Sequence, residues 1–442
     1  MKCQCAYCKN DLPFELPSEI IDAAMAGELV IFAGAGISTE SKLVFKETLY
    51  EDVIFELKLE PNVDFPSAMT AFCNQKNGRK LLLEKIHHRF EYAKQFKEIY
   101  RVATRFHNEL SSIYSIDKII TTNWDDYFER ECNAVPIVAP EDFAFYNIES
   151  RKVFKIHGSI SNYGSIVATK YDYEKCYKNL QKGIVGSHLK TVLATRTVLF
   201  IGYSFSDFDF NKVYNYLKRE MGEIIPHYYI VTIDPKFEEK FNKEKATIIL
   251  TSGTFFLSTL RKHLEGINFL IPKSHLENVE EFYLIRQAAH KRSAEYFFAN
   301  KTPTGIYNLF YQDGMKHAFD YLLFHSKSGK SLNPHHIKSA MRSYEILKKK
   351  MLKVKNYPDY AYVEGYIVGL MSIVYENTDA YFPFFYIMGL GPVQSFKDYS
   401  KYLRKKSCYH KAADTIGKKY FQNVLDKEST TIPQHRPFIG GG

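Results

Sequence analysis

From residue 17 to about residue 265, short apolar runs alternate with longer stretches whose apolar residues recur every three or four positions. The first pattern describes buried strands and the second amphipathic helices. Strands are expected at Leu29–Ala33, Ile116–Thr122, Lys152–Ile156, Thr197–Gly202, Tyr228–Asp234 and Ala246–Leu250. Ser18–Ala26 reads as a helix with Ser18 as its N-cap and Gly27 as its stop, and Glu47 to about Arg105 reads as helical. Apolar strands separated by helices predict an α/β fold, with a doubly wound, mostly parallel, Rossmann-like sheet covered on both faces. After Pro272 the strands are expected to stop. Leu276–Ala299, Ile337–Val354, Tyr360–Glu376 and Phe396–Leu425 read as helices, broken at Pro303-Thr304-Gly305, at 326–334 and at Pro392. The expected organisation is a cysteine-containing segment at 1–16, an α/β domain at 17–268, a mainly α-helical domain at 269–432 and a flexible tail at 433–442. The aromatic run Tyr381-Phe382-Pro383-Phe384-Phe385-Tyr386 reads as core or as a subunit interface. No repeat of fixed period is visible.

At 442 residues the chain is long for a single core. Its 45% apolar and 25% charged residues are those of an ordinary globular protein. No apolar run reaches the ~18 residues of a membrane span, and the N-terminus lacks the apolar stretch of a signal peptide. Seven cysteines, an odd number, argue against a disulfide framework and for a reducing cytoplasm. Charge changes the picture of the second half. Residues 1–270 carry a net −1 and residues 271–442 a net +10. A basic half suits nucleic acid or an acidic partner surface, and equally a set of solvated helix faces.

Four motifs lie at strand ends, where open α/β sheets bind their ligands. The first is Val30-Ile31-Phe32-Ala33-Gly34-Ala35-Gly36-Ile37-Ser38. Glycines there let the backbone approach a pyrophosphate, with the Ser38 hydroxyl and a helix N-terminus completing the cradle. Position 39 is Thr, so the third glycine of the dinucleotide fingerprint is missing, which argues against a dehydrogenase site. Alone, the run is equally a glycine turn with no ligand. The second motif is Thr122-Asn123-Trp124-Asp125. Its Asn suits a ribose diol or a water, although either Asp125 or Asp126 would also cap the next helix. In the third, His157-Gly158-Ser159, an imidazole stands beside a glycine at a strand end and is suited to taking a proton near neutral pH. The fourth is Gly202-Tyr203-Ser204-Phe205-Ser206-Asp207, a second phosphate and ribose wall in which Asp207 is alternatively a helix cap. Asp234, before Pro235, suits a ribose diol. Cys3, Cys5 and Cys8 are either three ligands of a metal or free thiols on a loose end.

In this order the four motifs resemble the sirtuin-like (silent information regulator 2) family over about residues 17–265. The resemblance implies an NAD-consuming enzyme. His157 and Asn123 would be catalytic, with Asn123 orienting the water or ribose. Gly34, Ala35, Gly36, Ser38, Asp125, Gly202, Ser204, Asp207 and Asp234 would bind the dinucleotide, with Asp125 on the nicotinamide carboxamide. Two family features are absent. The zinc module needs four cysteines in two pairs in the region following the histidine, and in that region this chain has only Cys176, so NAD+ is expected as substrate with no zinc module. The Gly-Ile-Pro-Asp-Phe-Arg segment is replaced by Lys42-Leu43-Val44-Phe45-Lys46. What remains resembles the bacterial sirtuin-like domains of anti-phage systems, and implies an NAD+ glycohydrolase, with cyclisation of ADP-ribose open to the same residues. The competing readings are a non-catalytic NAD- or ADP-ribose-binding regulatory subunit, and a protein deacylase or ADP-ribosyltransferase. The expected partners are a second copy of the chain, a phage protein or a separate HerA-type ATPase. The chain has no Gly-x-x-x-x-Gly-Lys-Ser/Thr of its own.

Overall fold

The computed structural model describes residues 9–38, 41–203, 227–237, 246–375 and 382–438, together with residues 215 and 219. It divides into two compact units, Met1–Ile267 and Asn268–Gly442.

In the first unit the apolar runs form one parallel sheet because none of them has a polar face to show to water. Its strands are β1 (Leu29–Ala33), β2 (Lys118–Thr121), β3 (Val135–Ile137), β4 (Lys152–Lys155), β5 (Thr197–Ile201), β6 (Tyr228–Thr232) and β7 (Ala246–Leu250). Their order is β3-β4-β2-β1-β5-β6-β7, and every pairing is parallel. The chain moves from β1 to β2 on one side and later crosses from β4 to β5 on the other, so the topological switch lies between β1 and β5. In a sheet of this kind the crevice for a ligand opens at that point. One register row runs Ile201, Ala33, Thr121, Lys155 across β5, β1, β2 and β4. The glycine turn of the first motif and the other three motifs start just beyond this row, at the C-terminal ends of four adjacent strands.

Several boundaries differ from the expectations. Pro17, not Ser18, occupies the N-cap of the first helix, and Ser18 is its first residue, while Gly27 closes the helix at φ +69°. The helical segment from Glu47 to Arg105 is built of four helices, Leu49–Leu57, Phe65–Cys73, Gly78–Gln95 and Lys97–Ala103, with a fifth, Arg105–Ser111, starting at its end. The breaks are built by caps. Thr48 and Glu51 form a capping box, and Asp64 accepts from the backbone of Ser67 ahead of Pro66. These helices make a core of their own around Val53, Met69, Leu82 and Ile86, against which Trp124 packs.

In the second unit the longest buried element is a helix the sequence pattern did not show, Pro303–Phe324, with sixteen of 22 residues buried. Its polar Asn308, Gln312 and Asp313 are buried along with the apolar residues, so the usual division into an apolar and a polar face is blurred. The Pro303-Thr304-Gly305 run, read as a break, is its start: Thr302 accepts from the Gly305 backbone and Pro303 sits in the first turn, where its missing N–H costs nothing. This helix crosses Tyr357–Met371 at backbone distance. A Cβ on Gly314 would stand 2.0 Å from the Tyr362 carbonyl, and one on Gly365 would stand 1.8 Å from the Tyr311 carbonyl. Strands do not stop at Pro272 either, since β8 (Phe385–Ile387) and β9 (Gly391–Val393) form an antiparallel hairpin. Two buried amides of the central helix hold it in place. Asn308 Oδ1 accepts from the Tyr386 backbone at 2.8 Å, and Gln312 Nε2 donates to the Phe384 carbonyl at 2.9 Å. Phe382, Phe384, Phe385 and Tyr386 are therefore core of this unit. Within residues 433–438, His435 donates its backbone N–H to Asp313 at 2.8 Å and stacks on Tyr362 at 4.1 Å.

Candidate functional site

Beyond β1 the chain makes one tight 3-10 turn, Ala35–Ile37, and the next regular helix among the described residues starts at Leu49. The helix N-terminus expected at this turn is therefore not there. The glycines are required by protein packing instead. The Gly34 N–H donates to the Ile201 carbonyl at 2.8 Å and the Gly36 N–H to the Gly202 carbonyl at 2.9 Å. A Cβ on Gly34 would meet the Tyr203 ring at 2.6 Å, and one on Gly36 the Gly202 carbonyl at 2.8 Å. Gly202 itself has φ +78°, a conformation that favours glycine. The loops after β1 and β5 are thus laced together across the switch point. Tyr203 completes the lacing, donating its hydroxyl to the Ala33 carbonyl at 3.1 Å.

Ser38 closes the turn by reaching the next motif. Its hydroxyl donates to Asp125 Oδ2 at 2.8 Å, and Asn123 Nδ2 donates to Ser38 Oγ at 3.3 Å. Asp125 Oδ1 accepts from the Tyr127 backbone N–H at 3.2 Å. So Asp125 both caps the Tyr127–Cys132 helix and anchors Ser38, while Asp126 pairs with Arg130 and Lys94. Asp125 is fully enclosed, and burial pushes its carboxyl above the usual range, opposed by the nearby Lys155 and the Ser38 hydroxyl. Asn123 is 4% exposed, and its Oδ1 is buried with no donor among the described residues. An orphaned acceptor of this kind costs about 1–3 kcal/mol, which a ligand or water donor would recover.

His157 follows β4, two residues beyond the register row, as Asn123 follows β2. The histidine is buried, its ring edge-on to Tyr173 at 5.0 Å, and its carbonyl accepts from Val167 at 3.0 Å. Gly158 has φ +84° and lies against the Ser165 backbone, so a side chain there would displace the loop behind the histidine. Cys176 donates its thiol to the Ile156 carbonyl at 3.2 Å.

The structure therefore joins Gly34, Ala35, Gly36, Ser38, Asn123, Asp125 and Gly202 through direct contacts, and sets His157 on the neighbouring strand end. Asp234 stands two strands from β1, where its Oδ1 accepts from the Lys236 backbone at 3.1 Å. Ser204 and Asp207 lie outside the described residues, as do Cys3, Cys5 and Cys8.

Sequence reasoning missed Lys155 and Glu129. Lys155 ends β4 with a side chain that is wholly buried. Its ammonium reaches Glu129 Oε1 at 3.0 Å and also donates to the carbonyls of Trp124 and Asp125. It thus pins the backbone of the turn that carries Asn123 and Asp125. The signal was present in Lys152-Val153-Phe154-Lys155, where a cation closes an otherwise interior strand.

Residues 117–250 match the family described as SIR2-like domain. Among curated proteins, the chain is 32% identical over 216 residues to a protein named NAD(+) hydrolase ThsA from Cytobacillus dafuensis, covering 47% of this chain and 42% of that protein. It is 28% identical over 256 residues to an NAD(+) hydrolase ThsA from Enterococcus faecium, covering 54% and 52%. It is 21% identical over 327 residues to Defense-associated sirtuin 2 from Bacillus subtilis, covering 70% and 31%. The chain thus spans about half or less of the length of these relatives.

Proposed function

We propose that this chain, a sirtuin-like protein by its SIR2-like domain, hydrolyses NAD+ to nicotinamide and ADP-ribose. The observation that carries the reading is the orphaned Oδ1 of Asn123, buried beside Ser38 and Asp125 on the strand next to His157. It is an acceptor for a water or a ribose hydroxyl at the edge where this fold binds ligands. The names of the relatives, NAD(+) hydrolase and defence-associated sirtuin, support it.

In this mechanism the loops after β1 and β5 receive the pyrophosphate. With the Gly34 and Gly36 N–H groups bonded to the Ile201 and Gly202 carbonyls, these glycines and Gly202 hold the two loops close together so that the turn at Ala35 is able to approach it. Asp125 is directed to the nicotinamide carboxamide, from whose amide N–H it would accept while it also holds the Ser38 hydroxyl. Asn123 orients a water on the opposite face of the ribose. As the bond from the ribose carbon to nicotinamide breaks through an oxocarbenium-like state, the water oxygen bonds to that carbon and its proton passes to His157. Nicotinamide leaves with the bonding pair, and the proton is released to solvent as the histidine resets. We assign this activity to the depletion of NAD+ during phage infection, with the helical second unit as its regulator.

The test is NAD+ turnover by the purified chain, with products resolved by chromatography. Nicotinamide and ADP-ribose should appear in equal amounts, and His157→Ala and Asn123→Ala should each lower turnover at least a hundredfold. Full turnover by both variants would reject the site. Expression in phage-challenged bacteria tests the biological role: the wild type should reduce plaques and His157→Ala should not.

A further inference from the structure

The helix Pro334–Lys353 carries six lysines and arginines and one carboxylate, Glu345. Its apolar face packs into the core of the second unit through Ile337, Met341, Tyr344 and Leu347. Stepping 100° per residue, Lys338, Arg342, Lys349 and Lys353 fall on one narrow line opposite that face, with Lys350 beside it. All five are exposed. Glu345 is engaged by Lys348, which also holds Glu364. Among the described residues none of the five stripe cations forms an ion pair, in a chain whose other helices pair many of theirs. At a rise of 1.5 Å per residue the stripe is about 22 Å long.

Four like charges on one line with a fifth beside it repel one another, and the i,i+4 pairs Lys338/Arg342 and Lys349/Lys353 destabilise the bare helix. The macrodipole offsets part of that cost at Lys350 and Lys353, which stand in the last turn, but among the described residues no carboxylate pairs with the stripe, so the face is complementary to an anion outside it. A membrane surface would also call for apolar side chains on the exposed face to enter the headgroup region. The helix exposes only Ile346 and Leu352, which stand apart on its surface, and packs Ile337, Met341, Tyr344 and Leu347 into the core. Single-stranded nucleic acid would call for aromatic platforms, and the stripe has none. A regular wall of phosphates needs only cations in a straight line.

We propose that this helix face docks on the phosphate backbone of duplex DNA, without reading its sequence. The NAD-hydrolase reading is not needed for this, and the two fail separately.

The test uses the full chain and a fluorescein-labelled 30-base-pair DNA duplex, titrated by anisotropy from 50 to 200 mM NaCl. Five phosphate contacts predict a slope of log K against log salt near −4.5, at about −0.9 per contact. The triple variant Arg342→Gln, Lys349→Gln, Lys353→Gln should bring the slope to about −2 and weaken binding about a hundredfold at 100 mM salt. These side chains are exposed and repel one another, so the variant should melt no lower than the wild type and keep its NAD+ turnover. An unchanged slope in the triple variant would overturn the proposal. So would tighter binding of the separated strand than of the duplex, or binding confined to vesicles containing 30% phosphatidylserine.

Discussion

Replacing Lys155 by Met tests how the site turn is held. The substitution keeps the length and apolar stem of the side chain but removes the ammonium. Three acceptors lose it at once, namely Glu129 Oε1 and the carbonyls of Trp124 and Asp125. The Lys155 side chain is 0% exposed and that of Glu129 17%. At 3.0 Å the pair attracts by about 5 kcal/mol at an effective dielectric constant of 20. Removing one partner leaves a buried charge uncompensated, and such losses run to about 3–5 kcal/mol. Lys155→Met should therefore lower the unfolding free energy at pH 7 by that amount, measured by urea denaturation.

The deficit has a pH signature. Burial already holds the Glu129 carboxyl above its ordinary range, against the pull of Lys155. Without the ammonium it rises further. A carboxyl whose folded value lies above its unfolded one stabilises the fold below the unfolded value, and that contribution is lost as pH rises through the folded one. The variant should thus recover towards the wild type as the pH falls to about 4.5, and Glu129→Gln added to Lys155→Met should restore part of the stability at pH 7. In both single and double variants NAD+ turnover reports whether the turn bearing Asn123 keeps its place. A loss below 1 kcal/mol at pH 7, or one that does not change with pH, would refute the reasoning.

Other consequences follow from packing and burial. His107 sits between Phe106, Tyr127 and Phe128 with both ring nitrogens buried and without partners among the described residues, and burial lowers its pKa to about 3. The unfolded chain takes up this proton first, so stability is present above pH 6.5 and falls by about 1.4 kcal/mol per unit as pH drops from there towards 3. His107→Phe should flatten that slope in acid denaturation. Gly36→Ala places a methyl 2.8 Å from the Gly202 carbonyl, so it should separate the β1 and β5 loops, and raise KM for NAD+ at least tenfold. A melting temperature and KM both unchanged would show that the lacing is not needed. Gly314→Ala would put a methyl 2.0 Å from the Tyr362 carbonyl, and overpacking at such a crossing costs about 1–3 kcal/mol. Calorimetry should show that loss in the second unit.

The alternation of apolar strands and helices was enough for the fold class, because a strand with no polar side can only be buried between covering layers. The four motifs were legible for a similar reason. Glycine after a strand and polar residues at strand ends are local features, readable from a few neighbours. The central helix Pro303–Phe324 was invisible because burial of its polar Asn308, Gln312 and Asp313 along with its apolar residues blurs the period that betrays a helix, and its starting proline imitates a break. Strand order was also beyond the sequence, since parallel partners are far apart along the chain. Only pairing β4 with β2, β2 with β1 and β1 with β5 brings His157, Asn123, Ser38 and Gly202 to one edge. The tertiary structure also changed what the residues are for. Gly34 and Gly36 make room for Gly202 and Tyr203, Asp125 serves Ser38 as well as its own helix, and Lys155 ties the turn from beneath. A residue type states what chemistry a position is able to do, but contacts between segments a hundred residues apart decide which of those capacities the protein uses.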